Sequence, residues 1–225
     1  MKPALLLVVA AILSAPRLTQ ASTPVTYRFS GELISVDGAP DLAVGDAFHG
    51  RFSYDADTPD SHFSIDPMVG FYEEERPRSV GQFSVEIGGL SYELEADGRL
   101  VLIVSQIPAI MEDHVAVETT HLGATIPQFP SVNYIEAALN LRAPAGTIGS
   151  DVIPSNLDLA DFSRGRLFIM NGRTASDAIA FFLHGEVTSL VQVPEPATFY
   201  MAVSLLTYLA LRRGAVARRT LTVSA

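Results

Sequence analysis

Five histidines, His49, His62, His114, His121 and His184, are the side chains of this sequence best suited to metal binding or proton transfer. No two stand at i, i+4, the spacing that puts a pair of imidazoles on one helix face for zinc. A triad assembled from distant loops stays open at this level. The Gly-x-Ser-x-Gly pattern of a nucleophile elbow does not occur, and Ser61 beside His62 has no motif around it that would activate a hydroxyl. Acidic chemistry has one focus: Asp55-Ala56-Asp57-Thr58-Pro59-Asp60 places three carboxylates within six residues, a spacing that can wrap a hard cation in oxygen. Asp55, Asp57 and Asp60 are therefore candidate calcium ligands. The stretch lacks the Gly and distal Glu of an EF-hand loop, and the same residues are ordinary turn formers. Glu73-Glu74-Glu75 before Arg76 and Arg78 reads as a solvated charge run. A glycosidase pair needs opposed carboxylates at a set separation, which only a fold supplies. We expect no catalytic residue, no cofactor and no enzymatic activity.

Whatever these side chains do, strands must position them. Between Thr23 and Val193 apolar residues alternate with polar ones at period two in short segments punctuated by Gly, Pro and Asp. Val25, Tyr27 and Phe29 mark a first strand, Phe48, Phe52 and Tyr54 a second, and Phe83, Val85 and Ile87 a third. Further strands are expected at Leu90–Leu94, Leu100–Val104, Val115–Val117, Ile135–Leu141, Leu167–Met170 and Ile179–Val191. Asp97-Gly98 falls between two apolar runs, so Ser91–Ser105 reads as a hairpin. Asp55–Pro77 and Pro144–Leu159 read as long loops. About nine strands with such connections predict an all-β domain, an antiparallel β-sandwich or jelly roll over residues 22–192. Gly31-Glu32-Leu33-Ile34-Ser35-Val36 echoes Gly185-Glu186-Val187-Thr188-Ser189-Leu190. Each Gly interrupts an alternating strand at the same place, which predicts that the first and last strands are neighbours in one sheet.

Charge is unevenly distributed. The 225 residues carry 25 acids and 15 basic residues, a formal charge of −10. Every acid lies between Glu32 and Glu195, whereas the two ends hold only Lys2, Arg17, Arg212, Arg213, Arg218 and Arg219. Setting those six aside leaves nine basic residues in the middle, near −16. Such a domain repels nucleic-acid phosphates, so no nucleic-acid partner is expected. The absence of Cys excludes a disulfide framework and Cys-ligated metal sites.

Those ends look like addressing equipment. Met1-Lys2 followed by the apolar run Ala4–Leu13 has the form of a secretory signal, and Thr19-Gln20-Ala21 supplies small residues for cleavage after Ala21. Residues 1–21 are thus expected to be removed by the general secretion machinery. At the other end Val193-Pro194-Glu195-Pro196 leads into the apolar stretch Ala197–Leu211 and the pairs Arg212-Arg213 and Arg218-Arg219. Fifteen residues rise about 22 Å as a helix, short of the roughly 30 Å hydrocarbon core, and arginine snorkelling covers part of the deficit. We expect one C-terminal transmembrane helix, with its arginines on the cytoplasmic side and the acidic domain exported.

A Val-Pro-Glu-Pro tetrapeptide, a short apolar helix and a basic cluster, on a chain with an export signal, closely resemble the PEP-CTERM sorting signal of Gram-negative bacteria. The resemblance covers the tail, residues 193–225, and implies recognition by an exosortase. Pro194, Glu195 and Pro196 would be the sorting motif, Ala197–Leu211 the membrane helix, and Arg212, Arg213, Arg218 and Arg219 its stop. It further implies an inner-membrane-anchored intermediate, cleavage near the motif, and delivery to the cell surface or extracellular polysaccharide matrix. This tail departs from the usual pattern by continuing through Thr220–Ala225. The stretch Tyr27–Pro59 also looks like the opening of many cargo proteins of this kind. The expected function is a structural or adhesive protein of the envelope or exopolysaccharide matrix; a carbohydrate-binding module and an extracellular hydrolase are the alternatives.

Overall fold

The computed structural model describes residues 24–61, 68–74, 81–123, 132–149, 152–154 and 156–194. Extended backbone forms where the period-two pattern predicts it, because only a strand puts alternate residues on one buried face. In chain order the strands are β1 (Pro24–Asp37), β2 (Ala47–Asp55), β3 (Val69–Glu74), β4 (Gln82–Ile87), β5 (Leu90–Ile107), β6 (Glu112–Gly123), β7 (Val132–Pro144), β8 (Gly165–Thr174) and β9 (Ile179–Val193). Two short 3₁₀ turns are the only helical elements among the described residues. The all-β, antiparallel expectation holds.

The architecture corrects the sandwich or jelly roll. Pairing runs β5-β4-β2-β1-β9-β8-β7-β6, and β6 returns to β5, so eight strands close into an antiparallel barrel. Strand length is the physical reason. β5 has 18 residues, β9 has 15 and β1 has 14, against the usual five or six or so, and strands tilted roughly 35–45° to a barrel axis must be long to coil around it.

Two local expectations are also corrected. Residues 91–105 form no hairpin: β5 is continuous, and Leu94 pairs with Leu122 while Arg99 pairs with Thr120, so Asp97-Gly98 lies in a bulge. The turn sits instead at Gly88-Gly89, with φ of +59° and +79°, between the paired residues Ile87 and Leu90. Positive φ at both central residues matches the right-handed twist of the flanking strands. Within the expected loop Asp55–Pro77 lies β3, which pairs with Leu100–Ser105 on the same edge of β5 that holds β4 at Leu90–Glu93. The strand total agrees with nine because splitting β5 in two offsets the missed β3.

The predicted neighbourhood of first and last strands is present. Phe29 pairs with Leu190 and Val36 with Leu183, with register shifts at Ser30/Gly31 and Leu33/Ser35. Thr188 and Ile34 are the extra residues, and the two bulges sharpen the coil of this pair.

Inward positions fill the barrel. Tyr27, Phe29, Phe48, Phe52, Phe83 and Phe168 are at most 2% exposed, and the Phe29 ring lies 5.7–6.3 Å from those of Phe48, Phe52, Phe83 and Phe168. Glycines occupy inward positions beside them. The Phe48 ring covers Gly31 and Gly185, Phe29 covers Gly50, and Phe181 covers Gly172. Large rings over missing side chains pack a small barrel and let its strands coil tightly.

One barrel end is closed by the β7–β8 connection, whose Ile153, Leu157 and Phe162 are buried. Tyrosine hydroxyls hold it. The Leu157 N–H donates to the Tyr27 oxygen at 2.8 Å, and the Tyr54 hydroxyl donates to the Pro154 carbonyl at 2.7 Å. The two hydroxyls also bond one another, and burial raises both above the usual phenol range, so both stay protonated donors.

Candidate binding face

Outward residues of β9, β1, β2, β4 and β5 line up in two rows across the barrel wall, because antiparallel register sets them side by side. In one row Val191 pairs with Arg28, Arg28 with Arg51, and Arg51 with Ser84. In the next, Ser189 pairs with Ser30, Ser30 with His49, His49 with Glu86, and Glu86 with Ser91. Between the rows lies an open groove of about 590 Å³. Its floor is the backbone around Phe29, Gly50 and Val85, whose side-chain positions face the barrel interior. The bulge at Thr188, whose hydroxyl donates to the Ser30 carbonyl at 3.4 Å, re-aims β9 along the groove's edge.

Two electrostatic facts distinguish the groove. His49 Nε2 lies 3.2 Å from Glu86 Oε2, both side chains being exposed. Arg28 and Arg51 face each other directly and neither forms an ion pair among the described residues. Elsewhere Arg99, Arg142 and Arg173 sit on Glu73, Glu112 and Glu136 at 3.0, 3.0 and 2.8 Å, while Arg164 and Arg166 likewise form no ion pair among the described residues, Arg166 donating to the Phe162 carbonyl. Like charges directly opposite on adjacent strands cost stability, of order 0.2–1 kcal/mol. In a domain this acidic, that is an expense the fold does not need.

Ser30, His49 and Glu86 share a row, the order of a Ser–His–acid relay. No hydrogen bond joins Ser30 to His49 among the described contacts. Both β1 and β2 are paired on both edges, so their N–H groups point along the sheet into its ladder. An oxyanion formed at Ser30 therefore meets no backbone N–H of β1 or β2 aimed out of the sheet. Hydroxyls, imidazole and guanidiniums here suit the holding of a polar ligand.

The sequence-predicted residues are placed as follows. Asp55 accepts from the Asp57 N–H at 2.9 Å and Asp60 from the Phe71 N–H at 3.0 Å, so two of the three loop carboxylates hold backbone in place. No group of three His, Asp or Glu side chains converges as metal ligands among the described residues. His184 packs edge-on to Phe182 with centroids 4.5 Å apart, and His121 lies against Tyr134 at 5.1 Å. His62 lies outside the described residues. So do Ala21, Glu195, Pro196, Arg212, Arg213, Arg218 and Arg219, together with the expected helix Ala197–Leu211. No helix among the described residues is long and apolar enough to cross a membrane. Pro194 is described, exposed, and directly follows β9.

His114 is half-buried in β6. Burial pushes it below the ordinary imidazole value, opposed by its 3.0 Å hydrogen bond to Asn140; Arg142 lowers it further, while Glu118 and Glu112 raise it. The folded chain thus keeps the ring neutral. As pH falls below about 6.5, the unfolded chain takes up the proton first and stability is lost until the folded value is passed. The melting temperature of the protein is expected to fall further between about pH 7 and about pH 5 than that of His114→Gln. Equal slopes in a thermal melt series would refute this.

The groove itself was not legible in the sequence. Its residues come from five strands, and the available signal, polar residues at the outward positions of Arg28-Phe29-Ser30 and His49-Gly50-Arg51, acquires meaning only once β1–β2 register is known. Compared with family models, curated proteins and solved structures, the chain matches none of them.

Proposed function

We propose that this chain is an exported, surface-sorted β-barrel protein of the cell envelope or exopolysaccharide matrix, with a structural or adhesive role and no catalysis. The observation that carries the reading is the ordered tail: Pro-Glu-Pro at 194–196, an apolar run and two arginine pairs follow the last barrel strand without a spacer. Proline has no N–H to give a ladder, and prolines on both sides of Glu195 bias the motif toward the extended form that a processing enzyme holds. β1 begins and β9 ends at the same barrel end. The interior is filled by aromatic rings, which leaves ligand contact to the outer surface. In this reading the partners are the general secretion machinery, an exosortase, the inner membrane through the C-terminal helix, and matrix polysaccharide.

Intact-mass measurement of protein recovered from cytoplasm, envelope and medium tests it. The surface-delivered form is expected to begin near Ser22 and to end near Pro194–Pro196. Glu195→Ala is expected to accumulate in the membrane with its tail uncut. Recovery of the full 24.2 kDa chain from the cytoplasm, or processing unchanged by Glu195→Ala, would overturn the reading.

A further inference from the structure

We propose that the groove centred on Arg28 and Arg51 binds the carboxylate groups of an acidic polysaccharide. The inference deepens the matrix reading above and rests on it for the source of the ligand, but its evidence is the geometry of the wall. Two guanidiniums are held in register on neighbouring strands with Cβ atoms roughly 5 Å apart, without an acid between them. A planar fork accepts a carboxylate through two parallel N–H···O bonds, and two forks side by side accept one carboxylate each or clasp one between them. The pairing is locally unfavourable until an anion arrives, and departures from local rules without a structural gain are expected where a surface binds.

The rest of the groove selects a sugar over a bare anion. Ser30, Ser189, Ser84 and Ser91 are half-buried or exposed along it and both donate and accept. The His49–Glu86 pair adds a ring nitrogen and a carboxylate, the mixed donors and acceptors that sugar hydroxyls satisfy. Val191, 58% exposed beside Arg28, offers an apolar edge for a ring's C–H face. The trough crosses five strands and is open to solvent, which suits consecutive units of a chain rather than an enclosed monosaccharide. Glu86 is held by His49, and Glu93, beyond Ser84 in the arginine row, makes no ion pair with Arg51. Within the groove's lining two guanidiniums, Arg28 and Arg51, stand beside one carboxylate, that of Glu86.

The full chain, purified in non-ionic detergent, is tested on immobilised polygalacturonate and on dextran of matched length. Retention on polygalacturonate and not on dextran is expected, weakening as sodium chloride is raised because the contacts are exposed ion pairs. Arg28→Gln and Arg51→Gln each lower affinity several-fold, and the double variant lowers it at least tenfold. The double variant melts at or above the parent temperature, since it removes a like-charge pair; a merely structural arginine pair would lower it. Arg164→Gln, an exposed arginine off this wall, binds as the parent does. Equal retention on dextran, or retention unchanged in the double variant, overturns the proposal. Displacement by inorganic phosphate as readily as by galacturonate overturns the saccharide assignment. Purified protein carries no information on export, so failure here leaves the sorting reading standing, and cytoplasmic recovery in the mass experiment leaves a binding result standing.

Discussion

Gly31→Ala is expected to destabilise the barrel by about 3 kcal/mol, and a companion Phe48→Leu is expected not to restore it. The methyl group would land on the Glu186 carbonyl of β9 and on the Phe48 ring. A ring can be trimmed or can turn; a backbone carbonyl in a ladder can move only with its strand. β9 is also the strand that β8 pairs with at Leu167–Glu186, so the displacement spreads around the closed wall and has no free edge at which to relax. Gly185→Ala supplies the contrast, because the three atoms nearest its methyl all belong to the Phe48 ring. There Phe48→Leu is expected to recover a large part of the loss, after subtracting its own cost of about 1.5 kcal/mol or less. Urea denaturation of the singles and doubles gives the two coupling energies directly. A Gly31→Ala protein within 1 kcal/mol of the parent, or one rescued by Phe48→Leu as fully as Gly185→Ala, would show that the β1–β9 seam yields. Ser30 precedes Gly31, so a seam that yields would also shift the groove.

Phe29→Ala is expected to cost about 4 kcal/mol and to lower the melting temperature by about 10 °C. The ring contacts four others and covers Gly50 of the next strand. Truncation thus leaves both its own volume and the ungated space above the glycine empty, and a closed wall cannot collapse inward on one side to fill them. Phe29→Leu, which keeps most of the volume, is expected to lose less than half as much. Thermal melts of both variants decide the matter: a loss for Phe29→Ala below about 1.5 kcal/mol would mean a core far looser than its burial indicates.

Much of the fold follows from local pattern. Alternation placed β1, β2, β4, β6, β7, β8 and β9, because one-sided burial leaves a period-two imprint whatever the partners are. The glycine-centred echo placed β1 beside β9, because two strands that coil around one seam need the missing side chains at matching positions. What failed did so for identifiable reasons. Asp97-Gly98 has the chemistry of a turn and equally that of a bulge; which one forms depends on whether β6 is there to pair across it. β3 carries Glu73-Glu74, polar enough to look like loop, since Arg99 of β5 supplies Glu73 with its partner.

By itself the sequence determined an acidic, Cys-free, antiparallel β domain between two apolar basic ends, because composition, alternation and charge position are properties of single segments. Tertiary structure alone decided that β6 returns to β5 and closes a barrel in place of a sandwich, since sheet closure depends on strand length, bulges and rings set over glycines in other strands. It alone decided that Arg28 and Arg51, 23 positions apart, face each other across the wall with no ion pair among the described residues. A binding surface built from five strands exists only in their register, and register is a relation between segments that no one of them carries.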